Sequence, residues 1–177
     1  KIVEAIQSRC AVFRFRPLDS EKVLEKVMEV ANSEGVELEE TAARAIADVS
    51  LGDLRKAITS LQVAASLDSH VTRDLVYETT ATAPPEELHG FFLACKEDGF
   101  QPARRRMREI LDRFGLAGTD LVNQLHRELG KVTFLDEPQK LKVTEAMAEC
   151  DFRMVEGGGE SLQLDAMAAR ICGMLGN

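Results

Sequence analysis

Apolar positions recur along most of this chain at intervals of three and four residues, the period of a helix with one buried face. Val23, Val27, Val30 and Ala31 form the first such stripe. Asp19 or Ser20 can cap its start, and Gly35 stops it. Ala42, Ile46 and Val49 form a second stripe behind Leu38, and "SLGD" breaks it at Gly52. Asp53 opens a third, with Leu54, Ala57, Ile58 and Leu61 at i, i+3, i+4 and i+7. A short helix over 72–78 closes the group. Together these stripes predict a helical unit of roughly 60 residues in which each apolar face is covered by the others.

The sharpest punctuation follows at "TAPPEE". Pro84 and Pro85 disfavour helix before them and suit a helix start after them. Beyond them the pattern predicts five helices, over about 85–98, 101–114, 119–130, 137–155 and 161–175, separated by glycines. The second is regular, with Met107, Ile110, Leu111 and Phe114 on one side. The five read as a helical bundle, and the fold class is all-α.

One short stretch breaks the helical pattern. "VFRF" alternates apolar and charged residues, which predicts a strand with Phe13 and Phe15 on one side and Arg14 and Arg16 on the other. Pro17 ends it, and a lone strand cannot satisfy its own edges. The expected division is therefore 1–17 with the short strand, 18–83 as a first helical domain and 84–177 as a helical bundle.

Composition narrows the possibilities. Apolar residues make up 45% of the 177, enough for a real core. The net charge of −8 argues against a chain whose main business is a phosphate backbone, because that affinity comes from Lys and Arg displacing counterions. Residues 1–16 run the other way, with Lys1, Arg9, Arg14 and Arg16 against Glu4 alone. The four cysteines, Cys10, Cys95, Cys150 and Cys172, have no C-x-x-C spacing and no neighbouring histidine, so no metal site is expected and the thiols read as reduced. No apolar run approaches the ~18 residues of a membrane span.

Two arginines carry the candidate chemistry. Arg55 follows Leu54, so it lies ~100° off the apolar stripe of its helix. It also falls in the first turn, where free N–H groups and the helix dipole favour anions, and its planar fork could grip a phosphate. An ion pair with Asp53 or a nearby Glu is the plain structural reading. Arg9 stands between Ser8 and Cys10 in a non-helical step, where it would project from a domain edge or simply be solvated. "ARRRMRE" at 103–109 spreads Arg104, Arg105, Arg106 and Arg108 around three sides of a helix, which suits a solvated face with ion pairs to neighbouring helices. His70, His89 and His126 are isolated. Neither "GGGES" at 157–161 nor Gly130-Lys131 completes a phosphate loop, so no segment can hold Mg-nucleotide by itself.

Taken together, "IQSRCAVFRFRPL" and "SLGDLRKAITSLQ" resemble the replication factor C small subunits of archaea and eukaryotes, the AAA+ clamp loaders. The Ser8-Arg9-Cys10 and Gly52-Asp53-Leu54-Arg55 motifs stand at the family's separation, with "FRPL" between them, and the similarity runs on to "ESLQLDAMAARIC". The resemblance implies that 1–17 ends an ATPase core whose P-loop lies upstream, that 18–83 is the helical lid, and that 84–177 is the collar that joins subunits in a ring of five. It implies that Arg9 is the arginine finger acting in trans on a neighbour's ATP. It implies that Arg55 is the sensor-2 arginine acting in cis, with Leu54 and Pro17 beside the same nucleotide. The cofactor so implied is ATP with Mg²⁺ in the full-length protein, with none bound by this stretch alone. The implied partners are other replication factor C subunits, a second copy through the collar, the sliding clamp and primer-template DNA. The compartment so implied is the archaeal cytoplasm or the eukaryotic nucleus. Three alternatives stay open: another AAA+ ring subunit such as a bacterial-type clamp loader, a helix-turn-helix regulator reading DNA with Arg55, Lys56, Thr59 and Gln62, and a pure oligomerisation module.

Overall fold

Helix punctuation governs the architecture of the computed structural model, which describes residues 3, 6, 9–11, 13 and 16–176. Helix α1 (Ser20–Glu34) ends where Gly35 adopts φ 68° and turns its N–H back onto the Ala31 and Asn32 carbonyls. Its N-cap is Asp19, whose side chain makes no capping bond. Helix α2 (Glu40–Ser50) follows, and α3 (Leu54–Leu67) begins at Asp53, whose carboxylate accepts the Lys56 N–H. Two-residue strands β1 (Glu37–Leu38) and β2 (His70–Val71) pair in parallel, Glu37 opposite His70 and Leu38 opposite Val71. The sequence pattern did not show them, because two residues are too few to display a period of two. The strand expected over 12–15 lies outside the described residues, apart from Phe13, which is exposed.

The chain divides into two compact units, Lys1–Arg73 and Asp74–Asn177. In the first, Val23, Val27 and Ala31 of α1 bury against Ala42, Ala43 and Ile46 of α2 and Ala57, Leu61 and Ala64 of α3. The many alanines let the three helices approach closely without leaving voids.

The second unit takes in α4 (Arg73–Thr79) from Asp74 onward, then α5 (Pro85–Glu97), α6 (Phe100–Phe114), α7 (Gly118–Leu129), α8 (Glu137–Val155) and α9 (Glu160–Leu175). Helices α5 to α9 match the five expected to within a residue or so at each end. Asp136 and Gln139 close a capping box at the start of α8. The core runs through Phe91 and Phe92 of α5, whose rings lie 5.6 Å apart, with Met107, Leu121, Leu125, Met147, Leu164 and Ile171.

The segment 74–83 was expected with the first helical domain, but it packs with the second unit. Gln124 of α7 supplies one reason. Its buried side chain accepts the Ala83 N–H at 2.8 Å and donates to the Ala81 carbonyl at 3.2 Å. A polar group buried with both its needs met holds its partners firmly.

Candidate functional site

The loop between α2 and α3 is built around a glycine whose position leaves no unstrained room for a side chain. Gly52 has φ 82°, in the left-handed region. A methyl group added there would stand 2.5 Å from the Leu18 carbonyl oxygen, 2.6 Å from Pro17 Cβ and 2.9 Å from the Leu18 nitrogen. The Leu18 N–H donates to the Gly52 carbonyl at 3.0 Å. The chain arriving from Pro17 is thus seated directly on the loop that starts α3. The preceding Leu51 is also left-handed, at φ 53°, and is exposed.

Arg55 is the second residue of α3 and is exposed. The ion pair with Asp53 does not form. Asp53 spends its Oδ1 on the Lys56 N–H at 3.0 Å, and Arg55 makes no ion pair with any described residue. Leu54 beside it is half-buried, and Pro17 is exposed. Gly52 therefore gathers Pro17, Leu54 and Arg55 at one end of α3. Arg9 is exposed in a turn closed by its N–H on the Ile6 carbonyl, at 3.1 Å. Its side chain pairs with no described residue, and no described contact joins it to Arg55. Among the described residues no group of His, Cys, Asp or Glu is arranged to hold a metal ion.

What this end of α3 offers chemically is a cationic fork that no described residue occupies, beside the positive end of a helix. An anion of phosphate type fits such a place. Magnesium finds no ligand set there among the described residues.

In the second unit the arginines of α6 do bridge helices. Arg104 and Arg108 both reach Asp165 Oδ2 on α9, at 2.8 and 3.1 Å. Arg106 reaches Glu87 on α5 at 3.1 Å, lying over Gly90, where a side chain would collide with its guanidinium. Arg105 alone of the four pairs with no described residue. The hydrogen bond from Arg104 holds the Asp165 carboxyl below its usual range against the opposing pull of burial. On α8, Glu149 lies between Arg153 and Arg170, and the Arg170 hydrogen bond leads in lowering its pKa. This triad was not foreseen from the sequence. Its α8 half was visible as a Glu149/Arg153 pair at i, i+4, but Arg170 comes from another helix.

Cys95, Cys150 and Cys172 are buried and Cys10 is exposed, all as free thiols. Burial drives the Cys95 thiol far above its ordinary range and takes Cys150 to about 11. Neither can supply a thiolate near neutrality. Among the described residues no helix is long and apolar enough to cross a membrane.

Comparison with known proteins meets this geometry on both units. Residues 22–66 match the model of the RCF1/5-like AAA+ ATPase lid domain, and 83–170 match the replication factor C C-terminal domain. A protein of Pyrococcus horikoshii named replication factor C small subunit is 41% identical over 170 residues, which is 96% of this chain and 20% of that one. The proteins of the same name from Methanocella arvoryzae and Staphylothermus marinus are 37% and 41% identical, covering 96% and 97% of this chain. The chain spans about half the length of those two, 52% in each case, and a smaller share of the Pyrococcus relative. The helical units, the Gly52-Asp53-Leu54-Arg55 turn and these matches agree: the chain belongs to the replication factor C family.

Proposed function

We propose that this chain is the lid and collar of a clamp-loader subunit that, in the intact protein, uses ATP to open a sliding clamp and load it onto primer-template DNA. The observation that carries the reading is the state of Arg55. Its neighbour Asp53 is committed to the helix cap, and its own guanidinium pairs with no described residue, which suits it to an external anion. In the proposal Arg55 holds a phosphate of its own subunit's ATP, with Pro17 and Leu54 alongside. Arg9 reaches the γ-phosphate bound by the next subunit of the ring. ATP with Mg²⁺ supplies the phosphoryl group and its charge. The P-loop and the metal-holding carboxylates belong to a nucleotide-binding domain of the intact protein. An arginine supplied in trans contributes ~10³–10⁵ in rate to related hydrolases, and it ties turnover to assembly. The second unit joins neighbouring subunits, and the compartment is the cytoplasm of an archaeal cell.

The test uses mixed rings of the intact protein in which one subunit alone carries a working P-loop. Arg55→Ala should lower hydrolysis when placed in that subunit. Arg9→Ala should do so only when placed in its neighbour. Each removes a charge-assisted contact of about 1.5–3 kcal/mol, or roughly 10- to 150-fold in rate. Hydrolysis lost from Arg9→Ala in the P-loop subunit, with no effect from the neighbour, refutes the trans role. A sharp fall in melting temperature of Arg55→Ala without nucleotide would mark a structural ion pair instead. The 177-residue chain alone should bind neither ATP nor duplex DNA measurably by calorimetry. Salt-sensitive duplex binding would revive the helix-turn-helix reading.

A further inference from the structure

Two of the three buried thiols meet inside the second unit. Cys95 lies in the last turn of α5 and Cys172 in the last turn of α9, helices that pack against each other. Cys95 is 0% exposed and Cys172 8%. Both are free, and the Cys95 S–H donates to the Cys172 sulfur. Burial raises both thiols, but their shared hydrogen bond acts on them in opposite senses. It raises Cys95, which gives up the bond when it loses its proton, and lowers Cys172, whose thiolate the bond stabilises. A backbone hydrogen bond lowers Cys172 further. Cys150, the third buried thiol, takes no part: its shift comes from burial, Asp151 and Arg153.

The two are unequal in access as well. Gly173 follows Cys172, and glycine is the poorest helix former after proline. Nothing lies within 4 Å of the side chain that Gly173 lacks, so that side of the turn is open. The Gly176 N–H closes the turn on the Cys172 carbonyl at 2.8 Å. Helix ends open at free energies well below that of global unfolding, and this end carries Cys172 with it. Cys95 shares α5 with Phe91 and Phe92, all three fully buried, and is uncovered only when α9 moves off it.

We propose that Cys95 and Cys172 form a reversible disulfide that staples α5 to α9, with Cys172 as the attacking thiol and Cys95 as the resolving one. The oxidant is a low-molecular-weight disulfide. When the last turn of α9 opens, the Cys172 thiol gives its proton to solvent. Its thiolate attacks one sulfur of the oxidant, forming a mixed disulfide and expelling the first thiolate. The same opening uncovers Cys95, which loses its proton as its sulfur attacks that of Cys172 and expels the second thiolate. Two electrons pass from the cysteine pair to the oxidant, and the two protons end on its two thiols. The staple closes a loop from 95 to 172, most of the second unit. Excess thiol reverses it. The staple is independent of the nucleotide roles of Arg9 and Arg55, and its failure would leave those untouched.

Oxidised glutathione is the probe, applied to the native 177-residue chain in a Cys10→Ser background, which removes the exposed thiol. Proteolysis without reduction should yield a linked peptide pair containing Cys95 and Cys172, with Cys150 free. The linked form should melt at least about 5 °C above the reduced one, since closing so long a loop restrains the unfolded chain. Dithiothreitol should erase the difference. The intermediate separates the roles. Cys95→Ala should accumulate a glutathione adduct at Cys172, whereas Cys172→Ala should leave Cys95 unmodified over the same time. The peptide map of the parent chain needs neither variant, and it decides the proposal should either variant fail to fold. Absence of the link, in an incubation that forms the adduct at Cys10 of the unsubstituted chain, overturns the proposal. So does a link through Cys150 in place of either cysteine. So does a linked form that melts at or below the reduced one. An adduct at Cys95 in Cys172→Ala, with none at Cys172 in Cys95→Ala, overturns the assignment of roles.

Discussion

Leu18 donates its backbone N–H to the Gly52 carbonyl at 3.0 Å, and that bond presses the chain after Pro17 against the turn that begins α3. The contact leaves no room for a side chain on Gly52. Two separate requirements thus fall on one residue, a left-handed φ of 82° and a backbone neighbour within methyl distance. Through it, the segment that carries Pro17 and the helix that carries Arg55 share a fixed geometry.

Gly52→Ala should therefore destabilise the first unit by more than about 2 kcal/mol, since neither the strain nor the clash with backbone can relax cheaply. Gly35→Ala provides the comparison. Gly35 is also left-handed, at φ 68°, but nothing lies within 4 Å of the added methyl. That change should cost only the conformational penalty, about 1–2 kcal/mol. Calorimetry of the two variants separates the effects. Equal losses would mean that the Leu18 contact is dispensable.

Gln124 gives a second prediction. Removing its side chain strands the Ala83 N–H and the carbonyl of Ala81, which is itself held at φ 46°. Gln124→Ala should cost about 2–5 kcal/mol, two buried partners left unmet plus the space vacated. Gln124→Glu keeps the acceptor for Ala83 but sets a buried carboxylate oxygen against the Ala81 carbonyl, and should cost at least as much at neutral pH. Amide exchange at Ala83 is the direct reading. Protection that survives Gln124→Ala would refute the clamp.

The longer helices were legible because each buries one face, and the 3–4 spacing of Val23, Val27 and Ala31 or of Met107, Ile110 and Phe114 records it. Glycine and proline then set the ends. Asp53 as a cap could be read for the same reason, since its role is local. The candidate site was legible only in part. Spacing placed Arg55 in a first turn, but whether Asp53 would neutralise it depended on which donor Asp53 chose. The Gly52–Leu18 contact joins positions far apart in the sequence, as do Gln124 with Ala81 and Arg170 with Glu149. No periodicity encodes such pairs. The boundary at Pro84 was drawn from backbone chemistry alone, while the grouping of 74–83 follows from tertiary hydrogen bonds.

Thiol reactivity checks the packing independently. Cys95, Cys150 and Cys172 are buried and Cys10 is exposed. A thiol reagent at neutral pH should label one cysteine of the four quickly in the native chain and all four in denaturant. Burial raises the pKa of each of the three buried thiols, so labelling them should require opening of the second unit. Two or more fast sites in the native chain would contradict the core described for α5, α8 and α9.

Acid should loosen the second unit through Asp165 and Glu149. Arg104 holds the Asp165 carboxyl below its usual value, first by a hydrogen bond and then by charge, with Arg108 adding to it. Asp165 Oδ1 is buried without a described partner, which opposes the effect and limits its size. A carboxyl whose folded pKa is depressed contributes stability that is complete above its unfolded value, near ~3.9 for Asp, and is lost as pH falls through the folded value. The second unit should therefore lose stability as the pH drops from about 5 towards 2, with the steepest loss below ~4. Asp165→Asn still accepts from Arg104 but cannot titrate, so the pH dependence should flatten while neutral-pH stability falls modestly. Glu149→Gln should flatten the remainder, because Arg170 and Arg153 depress that carboxyl in the same sense. The measurement is the melting temperature of the three proteins between about pH 2 and pH 7. Parallel curves would show that these carboxylates do not gain stability from their arginines, and that the bridges from α6 and α8 to α9 are solvated surface pairs with no share in holding the bundle.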